Sequence, residues 1–497
     1  MTSSLIRGRP RRGTAHISVR VVHAVVGVLV AVAWLVLPGM TSRAEAPVAG
    51  GTDGPVAGAA AQEAPEDSTA GDLALPLVAA AAAVAVAGYA YVRRSRRART
   101  RTTPGGAPAP DTAPAGSELD TRAQSLLTEA DNWVRTSREE LSFALGRAGV
   151  EGDERALREA AAELASAFRM RQRYDDGLPE DDAGRQQVLA GIVGRCEEAG
   201  RRLDAEAAGF DQLRGLEGDL GGALAVAEGR FRELTARTGG AGATLVELDK
   251  RYGPAATAPV AGYVEQAKDR LVFATTRLNE ARQGADLDAT EQAIGRLRAA
   301  EAAIAQAELL VHGVERLAED LAAAAALVPA ALTGGETEIA GARERAARAG
   351  GGSGGPKDVR IGHADGVLAD VREELTGGPY DPVEALRRIV RGVVPVADGR
   401  AGVVSAAAWL VARSSTAAAD DHIATHRSAV GSAPRTRLAE ARRLLASTPG
   451  LTDLLTTDAL ARRARELAEQ DIRLRGAEPE PATSQSFGGP RTCERRG

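Results

Sequence analysis

Leu189 to Leu234 reads LAGIVGRCEEAGRRLDAEAAGFDQLRGLEGDLGGALAVAEGRFREL, and its spacing decides the fold. Steps of three and four from Leu189 pass through Ile192, Cys196, Ala199, Leu203, Glu206, Phe210, Leu213, Glu217, Leu220, Leu224, Ala227, Phe231 and Leu234. Twelve of these fourteen positions are apolar. Sustained over six heptads, such a stripe predicts a coiled-coil seam along one helix. Unbroken, 46 residues make a rod of roughly 70 Å at 1.5 Å per residue. Leu213 then faces the seam and its neighbour Arg214 faces solvent. The stretch is also glycine-rich, and each glycine costs about 1 kcal/mol against alanine in a helix interior. A bend or break is expected near Gly221 and Gly222, and packing rather than propensity must hold the helix. An intramolecular bundle satisfies that need.

The same pattern extends outward. Ala123, Leu126, Ala130, Val134, Leu141, Ala144 and Ala148 step by threes and fours behind a capping box at Ser117 and Asp120, interrupted by Ser137. After a loop expected at Gly239 to Pro259, a helix runs to Gln283 and stops at Gly284. Asp288, with Glu291 three residues on, is expected to cap the next helix. That helix carries the stripe Ile294, Leu297, Ala300, Ile304, Ala307, Val311, Val314, Ala318, Leu321, Ala325 and Val328. Asp381, Pro382 and Glu384 open another helix after the stop at Gly377 and Gly378. The fold class is therefore all-α, with long helices in an antiparallel bundle or coiled-coil arrangement. Aromatic residues make up 3% of the chain, which favours thin helix-on-helix packing over one thick core.

The N-terminal part reads as membrane anchor. Residues 1–46 form a signal peptide or signal anchor: five arginines precede the apolar run 21–37, and Ser42 with Ala44, or Ala44 with Ala46, fits a cleavage site. An Ala, Gly and Pro rich segment, 38–72, carries six acids and one Arg43. Residues 73–92 lack charge and are long enough to span a bilayer, and six arginines from Arg93 to Arg101 follow. The positive-inside rule places everything after them in the cytoplasm, whether the first segment is cleaved or retained. Ala79, Ala83 and Ala87 share one face of the span, a spacing open to helix self-association. The remaining organisation reads as an Arg-rich then Pro/Ala-rich linker at 93–116, a helical region at 117–349, a Gly-rich linker at 350–360, a second helical region at 361–476 and a disordered tail at 477–497.

Composition excludes several classes. Residues from Glu118 onward hold 50 basic and 60 acidic side chains, net −10, which is no nucleic-acid surface. Two cysteines, Cys196 and Cys493, provide no disulfide framework or zinc cluster. Gly350 to Lys357 lacks the Gly-Lys-Ser/Thr of a phosphate loop and reads as a linker. His422 and His426 sit one turn apart beside Asp420 and Asp421, but no Glu follows His422, so two solvated histidines are expected there. His312 and His363 are isolated, and Cys196 reads as a small apolar core group. The run Val403 to Val411, with Trp409 inside it and Arg400 and Arg413 flanking, is too short to span. It reads as a buried helix or an interface stripe. Carboxylates are expected on solvent faces. No catalytic, cofactor-binding or metal-binding residue is assigned.

The order of signal, short outside segment, alanine-rich span, arginine cluster and helices, including AFRMRQRYDDGLPEDD (Ala167 to Asp182) and GPYDPVEALRRI (Gly378 to Ile389), resembles the membrane-bound TPM-domain proteins of actinobacteria over residues 73–476. That resemblance implies the anchor topology and a helical cytoplasmic region. It also implies an extracytoplasmic α/β TPM domain, associated with phosphatase-type activity or membrane-complex assembly, for which residues 38–72 have no room. The functional expectation is a non-enzymatic scaffold at the cell membrane. Its partners would be the bilayer and a protein bound through helical faces. A divergent phosphatase-type enzyme and a division-associated, spectrin-like rod are the alternatives.

Overall fold

In the computed structural model, residues 115–146, 154–348, 355–399, 401–447, 449–476 and 486–496 are described. The expected signal segment, the outside segment, the span with Ala79, Ala83 and Ala87, and the linker up to residue 114 lie outside them. So do Ala148, residues 350–354 of the Gly-rich linker and residues 477–485 of the tail. Every regular element among the described residues is a helix. In chain order these are α1 (Ala115–Leu145), α2 (Arg155–Asp175), α3 (Asp182–Arg214), α4 (Leu220–Tyr252), the short α5 (Pro254–Thr257) with a 3-10 turn (Ala258–Val260), α6 (Tyr263–Asp286), α7 (Thr290–Arg348), α8 (Pro356–Gly377), α9 (Pro382–Val393), α10 (Gly402–Thr425), α11 (Ser432–Ala446), α12 (Leu451–Arg475) and α13 (Pro490–Arg496). The all-α expectation holds.

The long seam resolves into two helices. Arg214 ends α3, Gly215 takes a left-handed φ of 55°, and Asp219 caps α4 by accepting a 2.9 Å hydrogen bond from the amide of Gly222. The break thus falls several residues before Gly221 and Gly222. Along α3 the buried stripe is Leu189, Ile192, Cys196, Ala199, Leu203, Ala207, Phe210 and Arg214, while Glu206 is exposed and Leu213 half-buried. A straight helix of 3.6 residues per turn drifts about 20° per heptad from a 3.5-residue repeat. After three heptads that drift moves the core-facing position on by one residue. Arg214, expected in solvent, is therefore 1% exposed.

Other boundaries shift for related reasons. The loop expected from Gly239 is helix as far as Tyr252, because Leu234, Thr238, Ala241 and Leu248 all bury there; tertiary burial outweighs glycine's low propensity. Asp288 does not cap α7. It sits at φ 55°, where the amide of Ala289 donates to the carbonyl of Gly284 at 2.9 Å and closes the end of α6, which runs past Gly284 to Asp286. Ser117 lies inside α1, which starts two residues earlier. Asp381, by contrast, caps α9 as expected, accepting from the amides of Val383 and Glu384.

Three groups of helices share buried side chains. Leu127, Val134, Leu164, Ile192 and Leu203 join α1, α2 and α3. A larger cluster runs through α4 and α6 to α10, with α7 as its common member. Ile423, Val430, Leu438 and Ala461 join α10, α11 and α12. The three-residue turn between α6 and α7 folds them into a hairpin. Ala267, Ala274 and Ala281 on α6, and Ala293, Ala300 and Ala307 on α7, recur every seven residues and are fully buried. Such small side chains let the two backbones approach closely. At the turn, a Cβ on Gly284 would lie 3.1 Å from that of Ala293. On α7 itself, a Cβ at Gly334 would lie 2.3 Å from Val403 of α10, so glycine is needed for that crossing.

Candidate functional site

Only the tertiary structure reveals where the ionisable groups converge. At the first junction, Arg435 on α11 reaches α1, donating to Asp131 at 2.5 Å and to the Asn132 side-chain oxygen at 2.8 Å, and it also donates to the carbonyl of Arg427 at 2.6 Å. Arg135 bridges Asp131 and Asp420, each at 3.0 Å, and Arg442 also pairs with Asp420. Arg427 donates to Glu139 at 2.5 Å. Burial opposes ionisation of Asp131, but Arg135 and Arg435 outweigh it and hold the carboxyl well below the usual carboxylate range.

At the second junction, Arg214 of α3 donates to Glu301 of α7 at 2.6 Å, with Glu140 of α1 lying 3.8 Å from its Nε. Burial drives the Glu301 pKa upward, Arg214 pulls it back, and Glu140 adds to the rise. At the third, Asp458 of α12 accepts from Ser415 of α10 at 2.6 Å and from Arg391 and Arg387 of α9 at 2.8 and 3.1 Å. Asp320 and Asp421 are likewise buried and pair with Arg413 and Arg316. Glu338 accepts from the amides of Asp398 and Ala401, fixing the turn that enters α10. The expectation of carboxylates on solvent faces is thus corrected at these positions. Some of them do follow the buried stripe in sequence: Glu301 lies between Ala300 and Ile304, and Asp320 between Leu317 and Leu321. A buried carboxylate is tolerable because an arginine from another helix offsets its desolvation.

The expected candidates fall in different places. The rings of His422 and His426 meet at a tilt of 43° with centroids 4.7 Å apart, and neither is fully solvated. Nδ1 of His426 lies 3.0 Å from the carbonyl oxygen of His422, while Nε2 of His422 has no hydrogen-bond partner among the described residues. Burial, helped by His426 and Arg465, lowers the His422 pKa to about 3. Unfolded, this imidazole takes up a proton near pH 6.5; folded, it holds the proton off until near pH 3. Its contribution to stability is therefore present above pH 6.5 and is lost as the pH falls towards 3. On replacing His422 with Leu, the stability lost between pH 7 and pH 5 is expected to shrink by about 1–2 kcal/mol. Thermal unfolding of both chains at the two pH values measures this; an unchanged pH dependence contradicts it.

Cys196 is fully buried in the α3 stripe, where burial pushes its thiol up to about 12, so it acts as an apolar group. Val403 to Val411 lies in α10, with Trp409 exposed under the Arg413 guanidinium at 5.0 Å. His312 and His363 are exposed, and Lys357 lies in the first turn of α8. No group of three or more His, Cys, Asp or Glu among the described residues is placed to hold a metal ion. One cleft of about 290 Å³ opens between α4 and α7, lined by Ser142, Arg230, Glu233, Arg237 and Glu308. Its arginines already bind Ser142 and Glu315.

A second feature that sequence reasoning missed is the docking of the chain's end. Residues 486–496, within the tail expected to be disordered, pack on α1 and α3: Phe487 is buried and stacks on Phe210 at 4.4 Å. The Asp204 carboxylate accepts from the amides of Gly489, Arg491 and Thr492 at 2.9, 3.1 and 3.0 Å. The signal for it was a lone apolar side chain, Phe487, in a polar stretch ahead of Gly488, Gly489 and Pro490.

By length and composition, α7 is the one helix among the described residues suited to cross a membrane. Its buried face is already occupied by neighbouring helices. No family model matches the chain, and no solved structure matches it. Two curated UPF0603 proteins from two strains of Mycobacterium tuberculosis are each similar to it, at 30% identity over 390 residues. The match covers 71% of this chain and 57% of theirs, so the chain spans somewhat over half the length of these relatives. They are distant actinobacterial homologues.

Proposed function

We propose that the chain is a membrane-anchored, non-enzymatic scaffold whose helical body lies in the cytoplasm and offers its outer helix faces to a protein partner. The observation that carries this reading is the commitment of buried charge to holding helices together. Asp131, Glu301 and Asp458 each bind arginine from a different helix. Groups paired in this way fix geometry, and burial rather than pairing quiets the reactive side chains met along the sequence: Cys196 is kept as a thiol and His422 as a neutral ring. The anchor part of the reading rests on the uncharged residues 73–92 and on the arginines from Arg93 to Arg101 behind them. The similarity to the mycobacterial UPF0603 proteins agrees with the resemblance to actinobacterial membrane proteins. Phosphatase-type activity is not carried over, since no residue here matches a TPM catalytic position.

Topology tests the reading directly. A reporter enzyme that is active only outside the cytoplasmic membrane, fused after Arg475, is expected to be silent. A reporter that requires the cytoplasm, at the same point, is expected to be active. The opposite pattern overturns both the orientation and the scaffold's place in the cell.

A further inference from the structure

The end of the chain is bound as a peptide ligand is bound. Its contacts are specific in sequence: Phe487 fills an aromatic slot on Phe210, and the amide of Gly488 donates to Ser137 at 3.2 Å. One carboxylate, Asp204, gathers three successive amide donors and the Thr492 hydroxyl, the last at 2.7 Å. Ionised acceptors make the stronger hydrogen bonds of this kind. Shape selects as sharply as charge. A Cβ at Gly489 would lie 2.2 Å from the carbonyl oxygen of Gly200, and a Cβ at Gly200 would lie 2.6 Å from Pro490, so two glycines face each other where the backbones meet. Ser137, the one interruption in the α1 stripe, is fully buried beneath the segment. Between Gly476 and Ser486 the sequence is AEPEPATSQ, with no apolar side chain larger than proline or alanine. Covalent attachment through so short a stretch gives the segment an effective concentration of about millimolar at the groove, enough to keep a weak peptide seated.

We propose that the α1/α3 groove is a peptide-binding site for a Phe-Gly-Gly-Pro segment followed by an amide-donating turn, and that the chain's own residues 486–496 occupy it as an exchangeable ligand. The same segment supplied by a second molecule competes for the groove. Asp204 and Gly200 set the specificity, Asp204 by accepting the amides and Gly200 by admitting only glycine opposite it.

The test uses the full chain in detergent micelles and a fluorescent synthetic peptide of residues 485–497, with binding followed by polarisation. In the Gly489→Val chain the added side chain meets the Gly200 carbonyl, so the tail leaves while the groove is unaltered. The peptide is expected to bind this variant at least fivefold more tightly than it binds wild type, whose groove is filled. Adding Asp204→Asn to the variant, or using a peptide carrying Phe487→Ala, should weaken binding at least fivefold. A smaller difference between variant and wild type, binding insensitive to either change, or no saturable binding overturns the proposal. Loss of helicity in the Gly489→Val chain overturns it as well, because a segment needed for folding is not an exchangeable ligand.

Discussion

Replacing Arg214 with glutamate is expected to unfold or severely loosen the chain, at a cost of about 5 kcal/mol or more, while Leu213→Glu one residue earlier costs about 1–2 kcal/mol. Arg214 is 1% exposed, and it faces Glu301 and Glu140, both buried. Removing one partner of such a group costs about 3–5 kcal/mol, because the other charge is left buried. Reversing the sign adds a third carboxylate to the same small volume, and ionisation then becomes unfavourable for all three. Leu213 lies at the rim of its cluster, where a glutamate can turn its carboxylate into water. The comparison is read by thermal unfolding of the full chain, following helicity. Equal losses from the two substitutions would mean that α3 does not present Arg214 inward. A combined change, Arg214→Met with Glu301→Leu and Glu140→Leu, should recover most of the loss, since apolar groups of similar volume then replace all three buried charges at little or no cost.

A loss of about 3–5 kcal/mol is expected from Arg435→Ala, for a different mix of reasons. Here the carboxylate is not stranded, because Arg135 still pairs with Asp131. What is lost is the filling of a buried volume, together with the donors to the Arg427 carbonyl and to Asn132. Arg435 stitches α11 to α1 across 304 residues of sequence. The effect should therefore concentrate where those helices meet: amide hydrogen exchange is expected to quicken in α1 and α11 and to change little in the α6/α7 hairpin. Uniform quickening through the whole bundle would show that the junction acts on global stability alone.

The legible part of this fold was its local part. Apolar steps of three and four located the helical stripes because a residue's face on a helix depends on its near neighbours. On α7 every stripe residue from Ile294 to Val328 is buried or half-buried. The cap at Asp381 was legible for the same reason, since its acceptors and donors lie within three residues. Errors grew with distance. The heptad count along α3 was right at Leu189 and off by one residue at Arg214, because a small angular mismatch accumulates turn by turn. Gly239 and Gly240 argued for a loop, and the burial of distant α6 and α7 side chains against α4 overruled them.

The candidate sites were less legible than the helices. His422 and His426 were visible as a spacing, but burial of His422 depends on which helices surround α10, and periodicity carries no such information. The sequence by itself determined that the described body is helical, which faces of α3 and α7 turn inward over short distances, and that scarce aromatic side chains favour helix-on-helix packing over one thick core. Tertiary structure alone decided that Arg214 meets Glu301, that Arg435 meets Asp131, and that Phe487 returns to Phe210. Helical faces follow from the chain's own pitch, over a few residues. Those three meetings join residues separated by 87, 304 and 277 positions. Nothing in the local spacing encodes them, because the burial that makes each charge need its partner exists only after the helices have packed.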